Sequence, residues 1–305
     1  MKKTFYSNGK LLLTAEYMVL DGATAIALPT KFGQYLQIEE GKKQTISWKS
    51  YDNDSSVWFE DDISFESIIR KEHADTEAGI KNTLIDILHE ANILNPDFLN
   101  DANGYTITTT LTFPRLWGLG TSSTLINNIA QWLNIDAYKL LEASFGGSGY
   151  DIACAQHNTP ILYRLDSDKA PVVTALDFNP DLTGNLYFVY LNHKQSSKSA
   201  IMSYYNKQHR IDTMIPKIDA ITTAIAATND LQQFGTLLEK HEILLSDILE
   251  METVKERFFY DFKGILKSLG AWGGDFVLAV SKNNPEEYFK DKGFPVIIPY
   301  SEMIL

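Results

Sequence analysis

The chain has 305 residues, of which 44% are hydrophobic and 22% charged, a balance typical of a globular protein with a sizeable core. Its formal net charge of −12 opposes binding to the nucleic-acid backbone, so we expect no nucleic-acid partner. A single cysteine cannot form an internal disulfide, and no apolar run reaches the roughly 18 residues of a membrane span. We therefore expect a cytoplasmic protein with no membrane partner.

The first half of the chain predicts strands followed by helices. Residues that favour β-structure, separated by polar turn clusters, indicate strands over 10–20, 35–39, 44–51 and 56–60 in an antiparallel meander. Apolar residues at helical spacing predict a helix over 76–91. A strand over 104–113 then leads to helices over 122–134 and 137–144.

The second half alternates between helices and strands. We expect strands over 186–191, 276–280 and 295–298, and helices over 218–228, 231–249 and 254–269. Asp, Pro and Gly collect between 168 and 185, which predicts a domain boundary there. The expected class is therefore α+β, with an N-terminal domain of residues 1–170 and a C-terminal domain of residues 171–305.

A glycine-rich turn between the strand at 104–113 and the helix at 122–134 is the strongest local signal. Its backbone N–H groups and the partial positive charge of the helix N-terminus would suit a phosphate chain. No Gly-Lys-Ser/Thr follows, so this is not a Walker A loop. The alternative is a glycine turn before a helix that is capped by its own hydroxyls. The candidate phosphate-binding residues are Gly118, Leu119, Gly120, Thr121, Ser122 and Ser123.

Four segments in order resemble the motifs of the GHMP kinase superfamily: 7–22, 118–124, 146–153 and 269–276. The resemblance spans residues 7 to 280. It implies an N-terminal domain like domain 2 of ribosomal protein S5, a ferredoxin-like C-terminal domain, and transfer of a phosphoryl group from ATP to a small molecule with Mg²⁺.

The resemblance also implies roles for single residues. Asp151 matches the position assigned as the catalytic base, and Lys10 matches the lysine that lies near it. Ser122 matches a Mg²⁺-contacting serine, and Glu142 is a weaker match to a Mg²⁺-binding glutamate. Taken alone, Asp151 is a helix-capping turn residue, Lys10 a surface lysine and Glu142 a solvated helix residue.

Further residues are assigned to the substrate and to a glycine-rich loop that closes over the phosphates. Ser148 and Gly149 allow close approach of the backbone to the substrate. Lys194 and Lys198 follow a strand and could hold an anionic group, although a solvated loop fits them equally well. The closing loop comprises Gly270, Ala271, Trp272 and Gly273, and Trp272 is either a substrate contact or a core aromatic residue.

The motif details favour phosphomevalonate as the phosphoryl acceptor, which would place the protein in the synthesis of isoprenoid precursors. Mevalonate is the next candidate, and homoserine or a sugar is possible. A catalytically silent relative that binds a ligand or a partner protein is the alternative, because Asn8, Ala15 and Trp272 depart from the family pattern. The oligomeric state is left open between monomer and homodimer.

Overall fold

The computed structural model describes residues 2–73, 79–192, 204, 211–270, 272 and 274–305. The chain forms two compact units. The first comprises Met1–Gly9, Phe32–Arg115 and Leu119–Gln156, and the second comprises Lys10–Lys31, Leu116–Gly118 and His157–Leu305. The boundary near residue 170 stays a prediction.

The first unit contains a mixed sheet. Its strands are the start of β1 (Lys3–Leu12), the end of β2 (Ala25–Glu40), β3 (Thr45–Tyr51), β4 (Val57–Ser64) and β5 (Tyr105–Leu111). β5 lies between β2 and β3, antiparallel to the former and parallel to the latter. The expected antiparallel meander is therefore wrong, because a later strand separates β2 from β3.

In the described part of the first unit, six helices pack on this sheet and close the core. Ile46, Trp48 and Ile107 of the sheet and Leu84 and Ile129 of the helices are buried in one hydrophobic cluster. The side chain of Asp136 caps the fifth helix, which accounts for its predicted start. The helices are α1 (Phe65–Arg70), α2 (Ile80–Leu94), α3 (Asp97–Asn100), α4 (Thr121–Leu133), α5 (Ala137–Ser144) and α6 (Tyr150–Gln156).

The second unit contains two strand arrangements. The start of β2 pairs with β6 (Ile161–Leu165), which pairs with β7 (Pro171–Ala175). A separate antiparallel sheet has the order β11-β8-β10-β9. One of its two inner strands, β10, is buried at all five positions, as its continuous apolar sequence predicts. The strands of this sheet are β8 (Leu186–Tyr190), β9 (Ile265–Ser268), β10 (Phe276–Val280) and β11 (Ile297–Pro299).

Helices in the described part of the second unit pack around a core rich in phenylalanine. Phe259 and Phe289 meet edge to face, with their ring centroids 5.1 Å apart. A short 3₁₀ helix spans Met18–Asp21. None of the described helices is long and apolar enough to cross a bilayer. The helices are α7 (Pro180–Thr183), α8 (Ile211–Ala227), α9 (Leu231–Leu249), α10 (Val254–Phe258), α11 (Glu286–Asp291) and α12 (Tyr300–Met303).

Two predicted elements are wrong in extent. The strand expected over 10–20 ends at Leu12, because Ala15 and Tyr17 take positive φ angles of 59° and 64° that no strand accommodates. The helix expected over 254–269 is a five-residue helix, α10, followed by strand β9. Gly264 lies so close to the backbone of Val280 that a Cβ on it would come within 2.4 Å of the Val280 carbonyl oxygen. Such a close approach of two backbone segments is typical of a sheet and not of a helix.

Candidate functional site

The glycine turn before α4 contains two residues with positive φ angles. Gly118 has a φ of 67° and Gly120 a φ of 94°, both in the region that favours glycine. Gly120 is the N-cap residue of α4, which begins at Thr121, one residue before the predicted start. The two glycines therefore let the chain turn sharply into the helix.

The N-terminus of α4 has no side-chain cap. The hydroxyls of Ser123 and Thr124 each lie 3.0 Å from the carbonyl oxygen of Gly120, which accepts from them. Thr121 is half-buried and Ser122 is exposed. The alternative of a hydroxyl-capped helix is therefore wrong. A helix N-terminus without a capping side chain leaves its first N–H groups available to an anion.

Gly118 belongs to the second unit, where two side chains fix it. The Lys10 ammonium donates to the Gly118 carbonyl oxygen at 2.9 Å. The Asp275 carboxylate lies on the other side, since a Cβ on Gly118 would fall 1.8 Å from its Oδ2 atom. Any other residue here would be strained by the positive φ and would displace the Asp275 carboxylate, so the Gly118 backbone lies between a lysine and an aspartate side chain.

The residues just before Gly118 are held as well. The Tyr190 hydroxyl donates to the Leu116 carbonyl oxygen at 3.0 Å. The Trp117 ring meets Phe276 edge to face at 5.5 Å. Burial, with Asp275 as the next cause, raises the pKa of Tyr190, so its hydroxyl stays a donor. Sequence reasoning missed Tyr190 and gave Asp275 no role, although Asp275 stands in a glycine-rich motif.

Asp151 lies in the first turn of α6, in the first unit. It is half-buried, and its Oδ1 accepts from the N–H of Ile152 at 3.0 Å. Gly147 and Gly149 before it have φ angles of 113° and 83°, and Ser148 is buried between them. This second glycine turn, residues 147–149, leads directly into α6, so Asp151 lies within the first turn of the helix and not before it.

A buried charged cluster, defined here as Glu16, Lys267 and Glu242, lies in the second unit. The Lys267 ammonium contacts Glu16 Oε1, and lies 3.2 Å from Glu242 Oε2. Lys267 and Glu16 are 0% exposed and Glu242 is 3% exposed. When both carboxyl groups are ionised, the cluster carries one negative charge in excess. Sequence reasoning missed this cluster, since its members lie far apart in the chain.

Burial raises the pKa of Glu16 to about 7, against the lowering effect of Lys267, while Glu242 raises it further. His241 lies beside the cluster, with its Nε2 accepting from the N–H of Ala15 at 2.9 Å. Burial, and then Lys267, lowers the pKa of His241 well below its ordinary value. The imidazole is therefore neutral, and a proton entering this region binds Glu16.

The cluster fixes the strand end before the predicted closing loop. Glu242 accepts from the Ser268 hydroxyl at 2.6 Å and from its N–H at 3.1 Å, while Lys267 donates to the Ser268 carbonyl oxygen at 2.5 Å. Trp272 is 1% exposed, and its ring centroid lies 5.5 Å from the Lys267 ammonium. The backbone N–H of Trp272 donates to the Tyr17 hydroxyl at 3.1 Å. Trp272 is therefore placed as a core aromatic residue, and not as an exposed contact.

The other predicted site residues are placed as follows. Gly270 has a φ of 60°. Glu142 is exposed on α5. No group of three or more His, Cys, Asp or Glu side chains in the described ranges is placed to hold a metal ion. Lys194, Lys198, Ala271 and Gly273 lie outside the described residues.

The structure brings some of the predicted residues together within each unit. Lys10 meets Gly118 in the second unit, which also contains Gly270 and Trp272. The first unit contains the residues from Leu119 to Ser123 together with Glu142, Ser148, Gly149 and Asp151.

Comparisons with known proteins identify the fold. The chain is similar to the mevalonate kinase of Methanococcus jannaschii, with 18% identity, a TM-score of 0.67, and coverage of 96% of this chain and 95% of that one. It is also similar to Streptococcus pneumoniae phosphomevalonate kinase in complex with phosphomevalonate and AMPPNP, with 16% identity, a TM-score of 0.70, and coverage of 97% and 99%. Lactococcus lactis galactokinase complexed with galactose matches with 12% identity, a TM-score of 0.65, and coverage of 95% and 88%.

The chain thus has the α+β fold of the GHMP kinases, as the sequence motifs predict. No family model matches the chain, and no curated protein matches it.

Proposed function

We propose that this protein is an ATP-dependent kinase that phosphorylates a small molecule. The observation that carries the proposal is the N-terminus of α4, which has no side-chain cap and follows two glycines with positive φ. A triphosphate would accept hydrogen bonds from the first N–H groups of this helix, and the helix dipole would favour its negative charge. The fold supports the proposal, since similar structures carry the names of small-molecule kinases.

In this proposal, an oxygen of the acceptor attacks the terminal phosphorus of ATP. The bond between this phosphorus and the β,γ-bridging oxygen breaks, and ADP leaves with that oxygen. Asp151 takes the proton of an acceptor hydroxyl or orients that group, and Lys10 places positive charge by the transferred phosphoryl. Phosphoryl transfer depends on positioning and on electrostatic stabilisation. In this proposal Asp151 positions the attacking group, and Lys10 stabilises the charge of the transferred phosphoryl group.

Mg²⁺ bound to the nucleotide would neutralise phosphate charge. The exposed Ser122 at the start of α4 and the exposed Glu142 on α5 are the residues proposed to hold it. One hydroxyl and one carboxylate fit a hard cation that keeps most of its coordination sphere in water and substrate phosphates. A dedicated cage of several carboxylates is not needed for this role.

Phosphomevalonate is the acceptor we favour, and mevalonate is the second candidate. An acceptor that is already a phosphate is anionic and needs less help from a base than a hydroxyl does. The motif around Glu16 and Tyr17 and the Gly149-Tyr150-Asp151 segment resemble the phosphomevalonate branch. Homoserine or a sugar stays an alternative, as does a silent relative that binds a ligand or partner.

The test is turnover with a panel of acceptors. Purified protein is mixed with MgATP and with phosphomevalonate, mevalonate, homoserine or galactose, and both ADP and the phosphorylated product are measured. We expect product with one of the first two. Nucleotide binding without product from any acceptor would favour the silent alternative, and a product from homoserine or galactose would replace the favoured acceptor.

A further inference from the structure

A chain of amide and hydroxyl groups, buried from Asn127 to Asn128, connects α4 with the exposed Gln156 side chain at the end of α6 in the first unit. The Asn127 side chain is its centre: its Oδ1 accepts from Gln156 Nε2 at 2.9 Å, and its Nδ2 donates to the Ser7 hydroxyl at 2.8 Å. Asn127 lies in α4, whose N-terminus forms the proposed phosphate site. Gln156 is the last residue of α6, whose first turn carries Asp151.

The chain of bonds continues from Ser7 into the sheet. The Ser7 hydroxyl donates to Asn128 Oδ1 at 2.8 Å, and Asn128 Nδ2 donates to the backbone oxygen of Gln34 at 2.8 Å. Thr124 Oγ1 in turn lies 2.9 Å from Gln34 Oε1. Thr124 also contacts the Gly120 carbonyl oxygen at 3.0 Å, which brings the network back to the glycine turn.

Each side chain from Gln156 to Asn128 donates to the next partner, and the direction of every amide is thereby fixed. Ser7 and Asn128 are 0% exposed and Asn127 is 1% exposed, so water does not compete for the bonds among these three residues. The bond from the exposed Gln156 side chain to Asn127 lies at the edge of this buried group. Buried hydrogen-bond chains of this kind strengthen one another and allow one arrangement of the groups that they join. A hydrophobic contact between the same helices would tolerate sliding, whereas a directed chain does not.

We propose that Asn127 is a positioning residue that fixes α6, and with it the Asp151 carboxylate, relative to the phosphate-binding turn of α4. The inference rests on the proposed function. Asn127 touches neither nucleotide nor acceptor in this role. It acts through the bond to Gln156 at one end of α6 and through Ser7 at the sheet. An error of about 1 Å in the placement of a catalytic group can reduce a rate about 10²-fold.

The test measures kcat and KM for the Asn127→Leu variant in the full chain with MgATP and the acceptor that the panel identifies. Leucine has a similar size and forms none of these bonds, while Ser7 keeps its partners Asn128 and Gln131. We expect kcat to fall by about 10-fold or more, with KM for ATP within about 3-fold of the wild type, because the N–H groups that bind phosphate are unchanged. The Gln156→Met variant, at an exposed position, tests the same bond if Asn127→Leu does not fold.

Two further measurements separate positioning from a general structural role. Thr109→Val removes a buried hydrogen bond of 2.8 Å to Ser50 in the same unit, and we expect it to leave kcat unchanged. A double-mutant cycle combines Asn127→Leu with Asp151→Asn. If Asn127 acts through Asp151, its replacement lowers kcat by less than about 2-fold once Asp151 is already neutral.

The outcomes distinguish this inference from the proposed function. An impaired Asp151→Asn variant beside a fully active Asn127→Leu variant would overturn the positioning role and leave the kinase proposal standing. Additive effects in the cycle would also overturn it. Full activity of Asp151→Asn, or no turnover by the wild type, would remove the proposed role of Asp151 and the inference with it.

Discussion

The Lys10 ammonium donates a hydrogen bond of 2.9 Å to the carbonyl oxygen of Gly118. This bond holds the ammonium group of a lysine in the first strand next to the backbone of Gly118. A lysine side chain with no hydrogen-bond partner samples several rotamers. Fixing it in one of them costs up to ~2 kcal/mol of conformational entropy. Here the carbonyl oxygen of Gly118 holds the ammonium in one place.

Replacement of Lys10 by methionine tests the proposed electrostatic role. The Lys10→Met variant keeps the length of the side chain but loses the charge and the bond to Gly118. We expect turnover to fall by about 10²-fold or more, because a positive charge beside the transferred phosphoryl group stabilises the transition state. The measurement is the initial rate of ADP formation at saturating MgATP and acceptor.

The matched control is Lys3→Met, on the same strand. Lys3 is exposed at the start of β1, and we expect its variant to retain the wild-type rate. Equal rates for wild type and Lys10→Met would remove this lysine from the mechanism.

The contact between Gly118 and Asp275 predicts an unusually costly glycine substitution. In Gly118→Ala the new Cβ would lie 1.8 Å from Asp275 Oδ2, and the residue would keep a φ of +67°. We expect the positive φ to cost about 1 kcal/mol and the displaced carboxylate to add about 1–3 kcal/mol. Chemical denaturation of the purified variant measures the loss of unfolding free energy.

Gly146→Ala separates the two costs. Gly146 has a φ of +70°, and a Cβ there would meet nothing within 4 Å. This variant should therefore lose only the backbone share, about 1 kcal/mol. Equal losses in the two variants would show that the Asp275 carboxylate moves aside freely.

Local sequence signals predicted those elements that local physics decides. The helix α9 matches its predicted bounds, 231–249, because Asp230 caps its start. The turn predicted between β5 and α4 contains two glycines with positive φ angles. The fold class followed from four short motifs in order, each of which needs only its own residues to be recognised.

Contacts between distant segments could not be predicted in the same way. Lys267 and Glu16 form a fully buried pair, yet each stands in a sequence that gives no sign of the other. The same holds for Gly118 and Asp275. The helix predicted over 254–269 failed for a related reason: its apolar residues have helical spacing, but they pack in α10 and in β9 separately. Tertiary packing overrides a periodic pattern in such segments.

Replacement of Asp151 by asparagine tests the proposed base. Asparagine keeps an oxygen for the bond from the Ile152 N–H, which is 3.0 Å in the wild type, but it cannot take a proton. We expect turnover to fall by about 10²-fold or more, with nucleotide affinity retained, because removing a proton from the attacking group or orienting it contributes on this scale. Steady-state kinetics and a nucleotide titration provide the two numbers.

Asp136→Asn is the control for this change. Asp136 also stands at the start of a helix in the first unit, where it accepts from the N–H groups of Tyr138 and Lys139. Asparagine caps a helix as well as aspartate does, so we expect wild-type turnover. A rate for Asp151→Asn that equals that of Asp136→Asn would contradict the assignment of a base.

The buried cluster predicts an acid–base contribution to stability with a definite sign. Burial raises the pKa of Glu16 from 4.5 in the unfolded chain to about 7 in the folded protein. Between these values the folded state binds the extra proton, so Glu16 stabilises the fold fully below pH 4.5 and loses this contribution as the pH rises towards 7. The lowered pKa of His241 acts in the opposite direction below pH 6.5, because the unfolded state then binds the proton. The wild-type profile therefore shows only the balance of the two groups.

The Glu16→Gln variant isolates the glutamate, since it keeps the shape and removes the titration. We expect the unfolding free energy of the wild type relative to this variant to fall by about 2–3 kcal/mol between pH 4.5 and 7.5, at 1.36 kcal/mol for each pKa unit. Denaturant unfolding at intervals of half a pH unit measures this difference. A Lys267→Met variant, which leaves both carboxylates buried without a cation, should be destabilised by about 3–5 kcal/mol near neutral pH and recover in part as Glu16 becomes protonated. A difference between wild type and Glu16→Gln that is flat across this range would mean that Lys267 holds Glu16 ionised throughout, since the attraction of the ammonium would then outweigh the cost of burial.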